Sequence, residues 1–73
     1  MLNQWREEIA DVAPGDIVTL HGRKVVVAEK PQSAAVAYKG EIHQVVEVVG
    51  LDVATMRPFL GLAVPDQRVT VIR

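Results

Sequence analysis

Apolar side chains recur first at helical spacing and then, from Ile17 onward, in short runs and alternations typical of strands. Leu2, Trp5, Ile9 and Val12 fall at i, i+3, i+7 and i+10, with Gln4, Arg6, Glu7, Glu8 and Asp11 between them. That single apolar stripe predicts a short amphipathic helix over residues 2–12. Pro14 cannot continue it, and Gly15 follows. So short a helix is marginal alone in water, so Trp5 and Ile9 are expected to dock on the rest of the domain.

Beyond Pro14-Gly15-Asp16 the pattern is that of strands. Residues 17–20 and 24–29 are expected to form a hairpin around His21-Gly22-Arg23. Proline presets φ, glycine supplies positive φ, and Asp16 can accept a hydrogen bond from a turn amide. Residues 30–33 read as a loop, 34–38 as a strand, Lys39-Gly40-Glu41 as a tight turn and 42–49 as a long strand. Gly50-Leu51-Asp52 is expected to break that strand, and residues 52–57 fit a loop or one helical turn. A strand over 59–64 lies between Pro58 and Pro65, with Gly61 expected to mark a bulge or sharp bend. Pro65-Asp66-Gln67 reads as a turn and residues 68–73 as the closing strand. The sum is one mostly β domain over residues 1–73: a helix at 2–12, then five or six antiparallel strands curling into a barrel over 16–73.

Seventy-three residues bury little interior, yet 49% of them are hydrophobic. Val25-Val26-Val27-Ala28, Val45-Val46 and Val48-Val49 place apolar groups on both faces of their strands, and a strand apolar on both faces is covered on both. Self-association through Val25, Val27, Val45, Val46, Val48 and Val49 is therefore expected, most simply as a dimer. The chain has no cysteine, which removes disulfides and thiolate metal sites.

Net charge is −1 and evenly spread, so no tail or block points to an electrostatic partner. The longest uncharged runs, 31–38 and 58–65, are far shorter than the ~20 apolar residues of a spanning helix. Arg6-Glu7-Glu8 stands where a signal peptide needs an apolar core. A soluble, cytoplasmic protein without membrane contact is the expectation.

Catalytic equipment is sparse. Ser33 is the only serine; with His43 and Asp52 it supplies the residue types of a triad, but types without geometry are no triad, and Ser33 reads as a solvated loop residue. His43 and Glu47 would share a helix face at i, i+4, but on a strand they lie roughly 13 Å apart, too far to chelate one ion. His21 reads as an exposed turn residue, and Glu7, Glu8, Glu41 and Glu47 as solvated charges. Gly15, Gly22, Gly40, Gly50 and Gly61 are dispersed and form no phosphate loop. No enzyme, cofactor or metal is expected.

Nucleic acid is the sharpest alternative. Arg23, Lys24, Lys30 and Lys39 sit near expected loop ends, with Tyr38 as a stacking platform. Against it stand one Tyr, one Phe and one Trp, where single-strand binders use several aromatics in a basic groove. The charge balance also gives no excess to drive counterion release.

Gly15-Asp16 opening a strand, and Pro65 followed by Val69 and Ile72, resemble the SH3-like small barrels, in which Gly-Asp starts an early strand and Gly-x-x-Pro leads through a tight turn to the last one. Gly61 stands one residue further from Pro65 than that pattern places it, and the aromatic run and paired tryptophans of the SH3 peptide groove are absent. The resemblance implies the barrel and not the binding of proline-rich peptides. In style the chain is also similar to small proteins of bacterial, phage or mobile-element origin. The functional expectation is a non-catalytic interaction or adaptor module that self-associates and joins larger protein partners. A nucleic-acid-binding barrel is the alternative and a small enzyme a more distant one.

Overall fold

Val25 and Val27 point one way and Val26 the other, and this alternation repeats through Val46, Val48 and Gly50 on a neighbouring strand. Period-two burial of β-branched residues builds the core. Computed as a structural model, the protein is described over residues 3–72. Within these residues seven strands form one antiparallel sheet, curled into a half-barrel: β1 Gln4–Glu8, β2 Ile17–Leu20, β3 Arg23–Val27, β4 Gln32–Tyr38, β5 Glu41–Asp52, β6 Pro58–Ala63 and β7 Arg68–Ile72. Their order is β1-β7-β2-β3-β5-β4, with β6 on the other edge of β5. The concave side is packed with Ile9, Val12, Val18, Leu20, Val25, Val27, Val46, Val48, Ala63, Val69 and Val71; Trp5 and Phe59 lie against it. Among the described residues, no helix is long and apolar enough to cross a membrane.

The expected N-terminal helix does not form. Residues 4–8 are β1, paired with β7 from Gln4↔Ile72 to Glu8↔Arg68, and Ile9–Asp11 make one 3-10 turn. The stripe fits both periods: Trp5 and Glu7 share one face of a strand, where the indole N–H donates to a Glu7 carboxylate oxygen at 2.8 Å. An eleven-residue helix is marginal in water, whereas β1 gains a full ladder on β7, so the long-range pairing wins. Ile9 is fully buried as expected and Trp5 half-buried, while Leu2, and Arg73 of the expected strand 68–73, lie outside the described residues.

Turn chemistry holds closely. The Asp16 carboxylate accepts from the Ala13 amide at 3.0 Å, and Gly15 takes φ +93°. Two tight turns, His21-Gly22 and Lys39-Gly40, have positive φ at both residues, the conformation that matches the twist of a hairpin. Residues 52–57 form a turn in which the Met56 amide donates to the Asp52 carbonyl at 2.8 Å.

Gly50 does not break β5. The strand runs through to Asp52, pairing Gly50 with Val27 on β3 and with Phe59 on β6. A Cβ at Gly50 would run into the Val26 carbonyl and the Val25 side chain, so glycine is what lets the β3 backbone approach. Gly61 brings no bulge either: the β5–β6 register is continuous from Val46↔Ala63 to Leu51↔Pro58, and the Phe59 ring covers the space above Gly61.

β3 and β4 share one edge of β5, β3 against its last residues and β4 against residues 41–47. Four residues, 28–31, separate β3 from β4 where only Val48 and Val49 separate their partners on β5. This offset, with Pro31 inside it, bends the edge. Beyond Val46, β4 and β5 pair only with each other and leave the barrel as a two-stranded ribbon, in a molecule 46 Å long but 24 and 19 Å across.

The buried glycine predicts a large effect from a small change. Gly50→Ala is expected to cost at least about 2–3 kcal/mol, the upper part of the overpacking range, because backbone must move. In a domain this small that corresponds to a melting temperature lower by roughly 10 °C or more, read by calorimetry. A variant melting with the parent would contradict the close approach of β3.

Candidate interaction surfaces

The basic residues expected to act together are split by the fold. Arg23 and Lys24 follow the β2–β3 turn, beside the end of β5, while Tyr38 and Lys39 sit at the ribbon tip, beside its start. The two groups are separated by the length of β5, roughly 36 Å at ~3.3 Å per residue. Lys30 is near neither, its ammonium 3.5 Å from the Val12 carbonyl on the flank of the barrel. No single groove collects the five.

At the barrel end, the β2–β3 turn and the 52–57 turn enclose an open cleft of about 590 Å³ lined by His21, Gly22, Arg23, Lys24, Asp52, Val53 and Ala54. Asp52 organises it. Its buried carboxylate accepts from Arg23 Nη1 at 2.7 Å, from the Ala54 amide at 2.9 Å and from the Thr55 amide at 3.2 Å. The Arg23 hydrogen bond, aided by those amides, holds the Asp52 carboxyl below its usual 3.8, outweighing the opposite push of desolvation. The Val53 amide binds the Lys24 carbonyl and the Asp52 amide binds the Arg57 carbonyl, so backbone bonds fix the two turns beside the Arg23–Asp52 ion pair. From the sequence His21 reads only as an exposed turn residue; the register Val25↔Asp52 brings residues so distant in the chain together, and no local motif announces it. The His21 Nε2–H donates to the Leu62 carbonyl at 2.8 Å and ties the turn to β6.

At the ribbon tip the Lys39 ammonium lies 5.3 Å from the Tyr38 ring centroid, within cation–π range. The Tyr38 and His43 rings are 6.4 Å apart, and His43 Nε2 is 3.6 Å from a Glu41 carboxylate oxygen. Tyr38, Glu41 and His43 share one ribbon face because Tyr38 pairs with Glu41 and Val36 with His43. The triad types are not brought together: Ser33 pairs with Val46, His43 lies on the opposite face, and Asp52 is nine residues along the strand from His43, roughly 30 Å. Among the described residues, no group of three His, Asp or Glu could hold a metal ion.

Of the valines expected to carry self-association, Val25, Val27, Val46 and Val48 are buried inside the barrel and unavailable; Val45 and Val49 are half-buried on the outer face. That face also carries Val26, Leu51, Leu60 and Leu62, with Leu60 68% exposed. The ribbon adds Ile42, 76% exposed, on its other face beside Ala37.

The lowered Asp52 carboxyl sets a pH dependence. A group whose folded pKa is depressed contributes stability that is complete above its unfolded value and lost as pH falls through the folded one. Between pH 7 and about 4.5 the contribution of Asp52 is expected to be constant, and below about 3.8 to fall away. Asp52→Asn should be less stable than the parent at neutral pH, with the gap closing in acid. A constant gap down to pH 2 in urea denaturation would contradict it.

No family model and no curated protein matches the sequence. A solved structure, a translation initiation factor eif-5a family protein from Naegleria fowleri, is similar over 96% of this chain and 47% of its own, with a TM-score of 0.68 and 13% identity. The chain therefore spans about half the length of that protein, and at this identity the likeness shows the fold alone, a small β-barrel.

Proposed function

We propose that this chain is a non-catalytic interaction module built on an SH3-like barrel, and that it self-associates. The observation that supports this reading best is the β4–β5 ribbon. Isolated two-stranded hairpins are marginal in water, and three or more strands or a covering surface are needed for independent stability. This ribbon carries Ala34, Val36 and Val45 on one face and Ala35, Ala37 and Ile42 on the other. The first three are only half-buried, and the last three are exposed. A second copy supplies the missing surface and shields part of the apolar exterior, where soluble monomers rarely expose more than a few hundred Å². The balanced charge, net −1, does not oppose like copies meeting.

A second reading, a nucleic-acid-binding barrel, is favoured by Arg23 and Lys24, which both line the cleft at the barrel end. It is also favoured by the likeness to a chain described as a translation factor.

Sedimentation equilibrium from low micromolar to near-millimolar protein tests the first reading, with a concentration-dependent rise in mass toward a closed oligomer expected. A monomer throughout would contradict it. Fluorescence anisotropy with single- and double-stranded probes tests the second. Submicromolar binding at physiological salt, lost in Lys24→Ala, would put nucleic acid first.

A further inference from the structure

The free strand edges differ sharply in how they are protected. β1 carries Arg6, Glu7 and Glu8, charges that discourage a further strand. β6 begins at Pro58, which has no amide hydrogen, and its Leu62 carbonyl is taken by His21. β4 has neither device: Gln32–Tyr38 reads Gln-Ser-Ala-Ala-Val-Ala-Tyr, without charge, proline or glycine. Among the described residues its only partner strand is β5.

The outward-facing groups of β4 follow from alternation along β5. The Val49 carbonyl accepts from Ala28, and the Val53 amide donates to Lys24, both on the β3 side. The Asp52 amide donates to Arg57, on the β6 side. In a regular strand successive residues point their backbone groups to opposite edges, so the odd-numbered residues of β5 serve the β3–β4 edge. Through the pairs Gln32↔Glu47, Ala34↔Val45, Val36↔His43 and Tyr38↔Glu41, the even residues of β4 bond inward. Ser33, Ala35 and Ala37 therefore present free N–H and C=O groups outward.

We infer that this edge is the seam at which two copies join, antiparallel, across a two-fold axis at Ala35. The inference rests on the self-association proposed above and names its geometry. An axis there sets Ala35 against the partner's Ala35 and Ser33 against the partner's Ala37, so each outward group finds its complement. The pattern is self-complementary, as a two-fold interface requires. All three side chains are small. No charged residue lies between Lys30 and Lys39, and the axis sets Lys39 opposite the partner's Pro31 rather than another lysine. The product is a continuous four-stranded sheet, β5-β4-β4-β5, which gives each ribbon the additional strands it lacks.

The chain has no cysteine, so Ala35→Cys introduces a single thiol per copy. Facing residues of a hydrogen-bonded antiparallel pair have Cα atoms ~5.5 Å apart, inside the ~4.4–6.8 Å range of disulfides. Under mild oxidation, Ala35→Cys is expected to form a disulfide dimer nearly completely, while Thr19→Cys, exposed on β2, stays mostly uncrosslinked. Ala35→Pro removes an outward amide hydrogen that the ribbon does not use, and is expected to weaken the dimer about tenfold or more. Leu60→Lys, on the outer face, should leave the dissociation constant within about twofold. If Ala35→Pro perturbs the fold by circular dichroism, the two cysteine variants decide. A parent that dimerises, with Ala35→Cys crosslinking no faster than Thr19→Cys, would overturn the seam and leave self-association standing. A parent that never dimerises overturns both.

Discussion

The Val26 carbonyl lies where a side chain at position 50 would sit, and this close approach lets β5 continue to Asp52 with strands on both edges. The barrel depends on that continuity. β3 and β6 flank the last residues of β5 on opposite edges, and the register held there puts Val25 and Val27 of β3 on the same inner face as Val46 and Val48 of β5. The same register delivers Asp52 to Arg23 and the Lys24 carbonyl to Val53, so the cleft at the barrel end is a consequence of the strand geometry. At its other end β5 outruns β6 and keeps only β4 for company.

Local chemistry made part of this legible in advance. The β2–β3 hairpin, the Asp16 turn, the Lys39-Gly40 turn and the strand after Pro65 are set by residues close in sequence, each with a conformational preference strong enough to act alone. The N-terminus was misread because Trp5, Ile9 and Val12 satisfy a helical period, while Trp5 and Glu7 satisfy a strand. Only pairing with β7, more than sixty residues away, separates the two. Gly50 was misread for a related reason: a glycine in an apolar run signals a turn or a close backbone contact, and the contact partner lies on another strand. Arg23 and Lys24 came to one end of β5 and Lys39 to the other, because spacing along the chain says nothing about which end of a strand a loop occupies.

Physically the molecule has two parts of unequal support. The barrel half of β5 has hydrogen-bonded neighbours on both sides and packs Val46 and Val48 into the core. The ribbon half has one neighbour and no core beneath it, with Ile42 in solvent. An uncharged edge on such an element is a hazard in a free monomer and an asset in an interaction module, where it offers backbone groups already extended for pairing. The ribbon tip, where Lys39 neighbours Tyr38, Tyr38 neighbours His43 and His43 neighbours Glu41, holds its polar groups at the far end of that lever and leaves the edge itself unobstructed.

The central claim is therefore that support along β5 is discontinuous, strong where it belongs to the barrel and weak where it belongs to the ribbon until something covers it. Residue-resolved amide hydrogen exchange on dilute, monomeric protein measures this directly. The account predicts that Val48 and Gly50 exchange only through global unfolding, while His43 and Val45 exchange through a much smaller local opening. Equal protection from Glu41 to Asp52 at dilution would contradict it, because the ribbon would then be as stable as the barrel without a partner.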